Sequence, residues 1–205
     1  TNPITTTDLM LTATGAIGAA DGIDTSVDNI AVSGGAQVAV VDSKAGGDLL
    51  VTTVDGVTGV TGAGAVALSK TAGGQGIRLS ENVTAAAGTG LTLTADAGGT
   101  LTIDDGDTAG FAGDDAANLL TLNADAIDFN TTGAASAGAS GKAIVAPVTA
   151  GTVIDLGSGG VTNTDFGANA IAIGRITADT LQVGDAANTG GITVGGAYTP
   201  GTKLS

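Results

Sequence analysis

The stretch from Val83 to Ile103, VTAAAGTGLTLTADAGGTLTI, carries the pattern that decides the fold. Leu91-Thr92-Leu93-Thr94 alternates apolar and polar residues, the period of two that gives a strand one buried face. Gly98-Gly99 then breaks the chain, and Leu101-Thr102-Ile103 resumes the same alternation. Glycine reaches positive φ without steric cost, so the break reads as a sharp corner.

Outward from this stretch the pattern repeats. Towards the N-terminus it recurs at Leu9-Met10-Leu11-Thr12, Gln37-Val38-Ala39-Val40, Asp48-Leu49-Leu50-Val51, Ala65-Val66-Ala67-Leu68 and Gly76-Ile77-Arg78-Leu79. Towards the C-terminus it recurs at Leu120-Thr121-Leu122, Ile127-Asp128-Phe129, Val153-Ile154-Asp155-Leu156, Ile171-Ala172-Ile173, Leu181-Gln182-Val183 and Ile192-Thr193-Val194. Glycine pairs such as Gly34-Gly35, Gly46-Gly47, Gly73-Gly74 and Gly190-Gly191 separate many of them. No segment is both long and apolar on one helical face; Ala85-Ala86-Ala87 is too short to nucleate a helix.

Composition narrows the class. The chain has 205 residues, 36 of them Gly, with no Cys, His or Trp and 2 % aromatics. Most domain cores draw much of their buried area from large aromatic side chains, so this supply of Ala, Val, Leu and Ile predicts a thin core. A hydrophobic fraction of 42 % opposes a disordered Gly-rich coil, which needs low hydrophobicity.

Two arrangements of short strands fit: antiparallel hairpins closing a sandwich or barrel, and successive coils of a parallel β-helix. Three features favour the β-helix. The strands are only about three to five residues long, Asn-Gly and Asp-Gly hairpin turns do not recur consistently, and Thr, Asp and Asn stand beside the strands where stacked coils form ladders. Two strands per coil predicts roughly 20 residues a coil and about ten coils, spanning some 45–50 Å. The expectation is one continuous all-β, single-stranded parallel β-helix over residues 1–205, part of a longer chain or fibre.

Charge excludes several functions. Twenty acids against six bases leave a net charge of −14. Duplex binding needs clustered cations to neutralise phosphates, and anionic lipid surfaces attract basic segments, so neither nucleic acid nor a membrane surface is an expected partner. No run approaches the ~20 apolar residues of a membrane helix. Thr1-Asn2-Pro3 is neither an initiator Met nor a signal n-region, so the sequence reads as mature or excised.

Three stretches resemble repetitive regions of filamentous haemagglutinin-like large exoproteins. They are LMLTATGAIGAADGIDT from Leu9 to Thr25, the opening stretch Val83 to Ile103, and Ile154 to Ser205. In the last, IDLGSGG is followed by GRITADTLQVGDAANTGGITVGGAYTPGTKLS. The resemblance implies a right-handed parallel β-helix, secreted by a two-partner route, extracellular or on the cell surface, acting in adhesion or biofilm. It implies no catalytic residue set. The expected partners are neighbouring coils of the same long chain or head-to-tail copies, together with surface glycans.

Candidate sites are few. β-Helical pectin-lyase-like enzymes use grouped Asp with calcium and a basic residue, but Arg78 and Arg175, the only arginines, lie outside acidic clusters. Without His or Cys the commonest general base and nucleophile are missing, so no enzyme and no catalytic residue are expected. Asp104, Asp105 and Asp107 are the calcium candidates, because carboxylates closely spaced on a loop supply the oxygen ligands calcium prefers. They lack EF-hand spacing, and a solvated acidic loop is the better account of them; no other cofactor is expected. The alternative function is a calcium-dependent or glycan-binding module. Alternating Thr92, Thr94, Thr100 and Thr102 read as outward strand positions rather than an ice-binding face. Asn82-Val83-Thr84 and Asn130-Thr131-Thr132 match the glycosylation sequon. Phe129 is expected inside, and Phe111 and Phe166 in loops covering the core.

Overall fold

The computed structural model describes residues 2–18, 21–156, 173–194 and 203–204. The chain is all-β, and among the described residues the one helical element is a single 3-10 turn, Ile173–Arg175. No helix among the described residues is long and apolar enough to cross a membrane. Among the described residues every strand pairing is parallel except that of Thr53–Val54 with Val57–Thr58, and the parallel strands form one sheet of nine, one of eleven and one of two. Parallel strands need a crossover rather than a tight turn. Here the crossovers are themselves strands of the other sheet, a progression compatible with a β-helix.

The pairings of the two large sheets resolve into three ladders. The first stacks Ile23–Ser26, Val38–Asp42, Val66–Lys70, Gly90–Thr94, Leu119–Asn123, Lys142–Ala146 and Thr180–Val183. The second stacks Leu49–Val51, Ile77–Leu79, Thr100–Ile103 and Ala126–Phe129. The third stacks Val60–Gly62, Val83–Ala85, Thr108–Phe111, Ala134–Ser136 and Ile176–Thr177. From Val38 to Ser136 the chain visits first, second and third ladder in that order, four times over.

The first two circuits differ. There the long strands Asp8–Ala13 and Asn29–Gly34 occupy the second and third positions at once: Asn29 and Ile30 pair with Leu50 and Val51, while Val32 to Gly34 pair with Val60 to Gly62. Between these halves the hairpin Thr53–Val54 and Val57–Thr58 is inserted. Its turn, Asp55-Gly56, has φ of 47° and 85°, the paired positive values of a primed hairpin turn.

Coil length follows from this change. In the early circuits, register partners stand 17 to 21 positions apart, as in Thr25–Asp42 and Asp8–Asn29. Later register partners stand 23 to 29 positions apart, as in Val60–Val83 and Leu91–Leu120, and 38 to 41 apart in a late stacking, as in Ala143–Leu181 and Ala135–Ile176. The expected 20 residues per coil therefore describes the two-strand circuits at the start. A third short strand and its corner lengthen the rest, and fewer coils are needed to use up the chain.

The interior is built from columns of like residues. In the first ladder Val38, Val66, Leu91, Leu120, Ala143 and Leu181 are register partners, and in the second Leu49, Ile77, Leu101 and Ile127. All are buried. The third ladder carries Val60, Val83, Ala109 and Ala135, so its column shrinks to alanine along the stack. Phe129 is buried in this core as expected, whereas Phe111 ends a strand and packs against the core half-buried. Phe166, Tyr198 and the expected strand residues Ile171 and Ala172 lie outside the described residues; Ile173 begins the 3-10 turn.

Candidate functional site

The acidic run Asp104 to Asp107 forms the corner between the second-ladder strand Thr100–Ile103 and the third-ladder strand Thr108–Phe111. The Asp104 carboxylate links three circuits. Its Oδ2 accepts from Arg78 Nε at 2.8 Å, and its Oδ1 accepts from Asn130 Nδ2 at 2.6 Å. Asp105 Oδ1 accepts from the Thr132 amide at 3.0 Å and from the Thr132 hydroxyl. The hydrogen bond and charge of Asp104 raise the Arg78 pKa further above its ordinary value. Burial, then the charges of Glu81, Asp104 and Asp105, pushes the Asp107 carboxyl above the usual carboxylate range.

This geometry spreads the calcium candidates over different tasks. Asp104 and Asp105 each accept from donors of flanking circuits. Among the described residues no three carboxylates are brought together as a metal-holding group. The second acidic pair behaves alike: Asp114 accepts from the amide and hydroxyl of Ser140, and Asp115 from the amide of Ala117 in its own turn.

The same chemistry recurs at the other corners. Gly73 and Gly74, at φ 74° and 70°, turn the chain after Val66–Lys70, and the Gly74 amide donates to Asp96 Oδ2 of the next circuit at 2.9 Å. One circuit on, the Gly98 amide donates to Asp125 Oδ2 at 2.7 Å, and the Thr149 amide to Asp125 Oδ1 at 2.7 Å. Burial raises the pKa of Asp125, but bonds from the Thr149 hydroxyl and from the Thr149, Gly98 and Val148 amides outweigh it and leave the carboxyl below its ordinary value. Both sequon asparagines serve as braces too: Asn82 Oδ1 accepts from the Thr108 amide, and Asn130 donates to Asp104.

Each basic side chain among the described ones is engaged within the chain: Lys44 with Asp28, Lys70 with Asp42, Arg78 with Asp104, Lys142 with Gln182, and Arg175 with the Thr131 carbonyl. An open depression of about 540 Å³ is lined by Gln182, Asp185, Asn188 and Ile192, among others. Its one carboxylate, Asp185, accepts from the Ala187 and Asn188 amides of its own turn. Thr92 and Thr94 stand on the first ladder and Thr100 and Thr102 on the second, so the four do not share a face.

Sequence reasoning missed the polar cluster inside the stack. Asp42 Oδ1 accepts from Thr25 Oγ1 and the Val27 amide, both at 2.9 Å, and its Oδ2 accepts from Lys70 Nζ at 2.5 Å. Both side chains of the ion pair have zero exposure. The signal was present in two aligned strands, Val-Ala-Val-Val-Asp and Val-Ala-Leu-Ser-Lys, whose last residues are opposite charges. What these polar groups do chemically is hold one circuit to the next. No protein-family model matches the chain, and neither the curated proteins nor the solved structures contain a match.

Proposed function

We propose that this chain is a non-catalytic, rigid segment of an extracellular fibre, a right-handed parallel β-helix shaft that acts in adhesion or in a biofilm matrix. The observation that carries the reading is the propagation of parallel ladders along one direction, each circuit bonded to the next through backbone and corner side chains. Such a stack is quasi-one-dimensional, so it yields length and stiffness rather than a pocket. The resemblance of residues 9–25, 83–103 and 154–205 to filamentous haemagglutinin-like exoproteins adds the surface location and the adhesive role. The acidic exterior keeps such a fibre soluble and turns it away from nucleic acid and anionic lipid.

The partners follow from the edges. Asp8–Ala13 is a six-residue strand paired on one side to Asn29–Gly34, and no strand among the described residues lies on its other side. An unpaired edge of that length is a template for another strand. Its occupant is a further coil of the same chain or the far end of a second copy, in a head-to-tail, open arrangement. Surface glycans are the proposed targets of the lateral faces.

Electron microscopy and solution scattering test the reading. The nine strands of the first sheet at ~4.8 Å predict a rod about 40 Å long, which lengthens in multiples of that unit as concentration rises. A compact, near-spherical particle would overturn the shaft, and isolated short rods at every concentration would overturn head-to-tail assembly.

A further inference from the structure

We propose that the buried Asp42–Lys70 pair is a register lock. It selects one alignment of Val38–Asp42 and Val66–Lys70 from slipped alignments that the apolar core alone accepts. The inference goes beyond the fibre reading, since it concerns how circuits align whatever the surface binds.

A slip by one residue is already forbidden, because it turns every inward side chain outward. A slip by two is not. Sliding Val66–Lys70 two positions along Val38–Asp42 sets Leu68 opposite Val38 in place of Val66, and the inward apolar row is preserved. The outward residues Ala39, Val41, Ala67 and Ser69 are small and discriminate little. The link that follows Val66–Lys70 has room to absorb a slip, since Thr71 to Gly76, with Gly73-Gly74 among them, join it to Ile77–Leu79.

The charges do discriminate. In register, Lys70 Nζ meets Asp42 Oδ2 with both side chains fully buried. After a two-residue slip Lys70 faces Val40, and Asp42 keeps Thr25 and Val27 but loses its counter-ion. Two buried, uncompensated charges are far costlier than the pair, and fixing register is the best-attested use of such groups. The position of the lock agrees with the need. Thr25, Asp42 and Lys70 are successive register partners, so this polar column spans the circuits where two strands per circuit give way to three. At the same height the next circuits carry buried Ala95 and Ala124, and there Asn118, Asn123 and Asp125 brace the stack from its corners and outer face.

Disulfide trapping tests the lock, because the chain has no cysteine of its own. Ala39→Cys with Ala67→Cys reports the native register, since these are outward partners. Ala39→Cys with Ser69→Cys reports the two-residue slip, as a diagonal pair is too distant to bridge in register. In the otherwise unchanged chain the native pair should close preferentially by about a hundredfold or more. Adding Asp42→Leu with Lys70→Met should bring the two yields within about tenfold of each other. Asp42→Asn with Lys70→Gln keeps an acceptor for Thr25 and Val27 while removing the charges, and serves if the apolar double variant does not fold. Exclusive closure of the native pair in either folded, charge-free variant overturns the proposal.

Discussion

Lys70 Nζ lies 2.5 Å from Asp42 Oδ2 on the neighbouring parallel strand, and neither side chain is exposed to solvent. A pair in that setting adds little net stability over an apolar pair of similar volume. Breaking it is another matter, because the surviving charge remains buried. The asymmetry leads to the first prediction.

Lys70→Met alone should destabilise the chain by about 3–5 kcal/mol, and adding Asp42→Asn, which keeps an acceptor for Thr25 and Val27, should recover most of that loss. Urea unfolding of both variants checks this. A double variant as unstable as the single would mean that the loss does not come from the carboxylate left without its counter-ion.

Asp125 gathers amides from two circuits, so Asp125→Ala should cost about 1–2 kcal/mol at neutral pH by stranding those donors. Its pKa is depressed in the folded state. The stabilisation is therefore present above the unfolded carboxylate pKa and is lost as pH falls through the lower folded value. Thermal melts should accordingly show wild type and variant converging under strong acid.

Asp107 has the opposite sign. Its folded pKa is raised, so the folded state holds its proton more tightly than the unfolded chain does, and ionisation costs stability as pH rises. Asp107→Asn should raise stability at neutral pH by a few tenths of a kcal/mol, about 0.5 at most given its partial exposure. That gain should vanish near and below the ordinary carboxylate pKa, and Tm measured against pH reads it directly.

Gly76 and Gly15 should respond differently to alanine. A Cβ on Gly76 would stand 1.7 Å from the Thr100 carbonyl oxygen of the neighbouring circuit, whereas one on Gly15 meets nothing within 4 Å. Gly76→Ala should therefore cost about 1–3 kcal/mol through displaced backbone, and Gly15→Ala should fall within about 0.5 kcal/mol of wild type. Comparable losses at both positions, measured by chemical unfolding, would refute the close approach.

Much of the first and second ladders was legible. Segments such as Leu91 to Thr94, Leu101 to Ile103 and Ile127 to Phe129 alternate large apolar with polar residues, and each coincides with or lies inside a strand. The third ladder was nearly invisible for a physical reason. Val60–Gly62, Thr108–Phe111 and Ala134–Ser136 are only three or four residues long, and Ala109 and Ala135 fill their inward positions. Alanine is small enough for that narrow side of the stack and too small to stand out as a hydrophobic beat. Missing it, the sequence reading counted two strands per coil. The Asp104 to Asp107 run was legible as a cluster, but its bonding was not, because Arg78, Asn130 and Thr132 come from circuits about 26 residues away.

The sequence alone determined the strand character, the corners and the thinness of the core. Those depend on local matters: a period of two, glycines at turns, and the lack of large side chains. Tertiary structure decided what stacks on what. Whether Asp42 meets Lys70, whether a carboxylate is solvated or bridges circuits, and whether a coil holds two strands or three are set by register between distant segments. Alternation along one strand carries no information about the offset of its neighbour, since a shift by two residues leaves it unchanged.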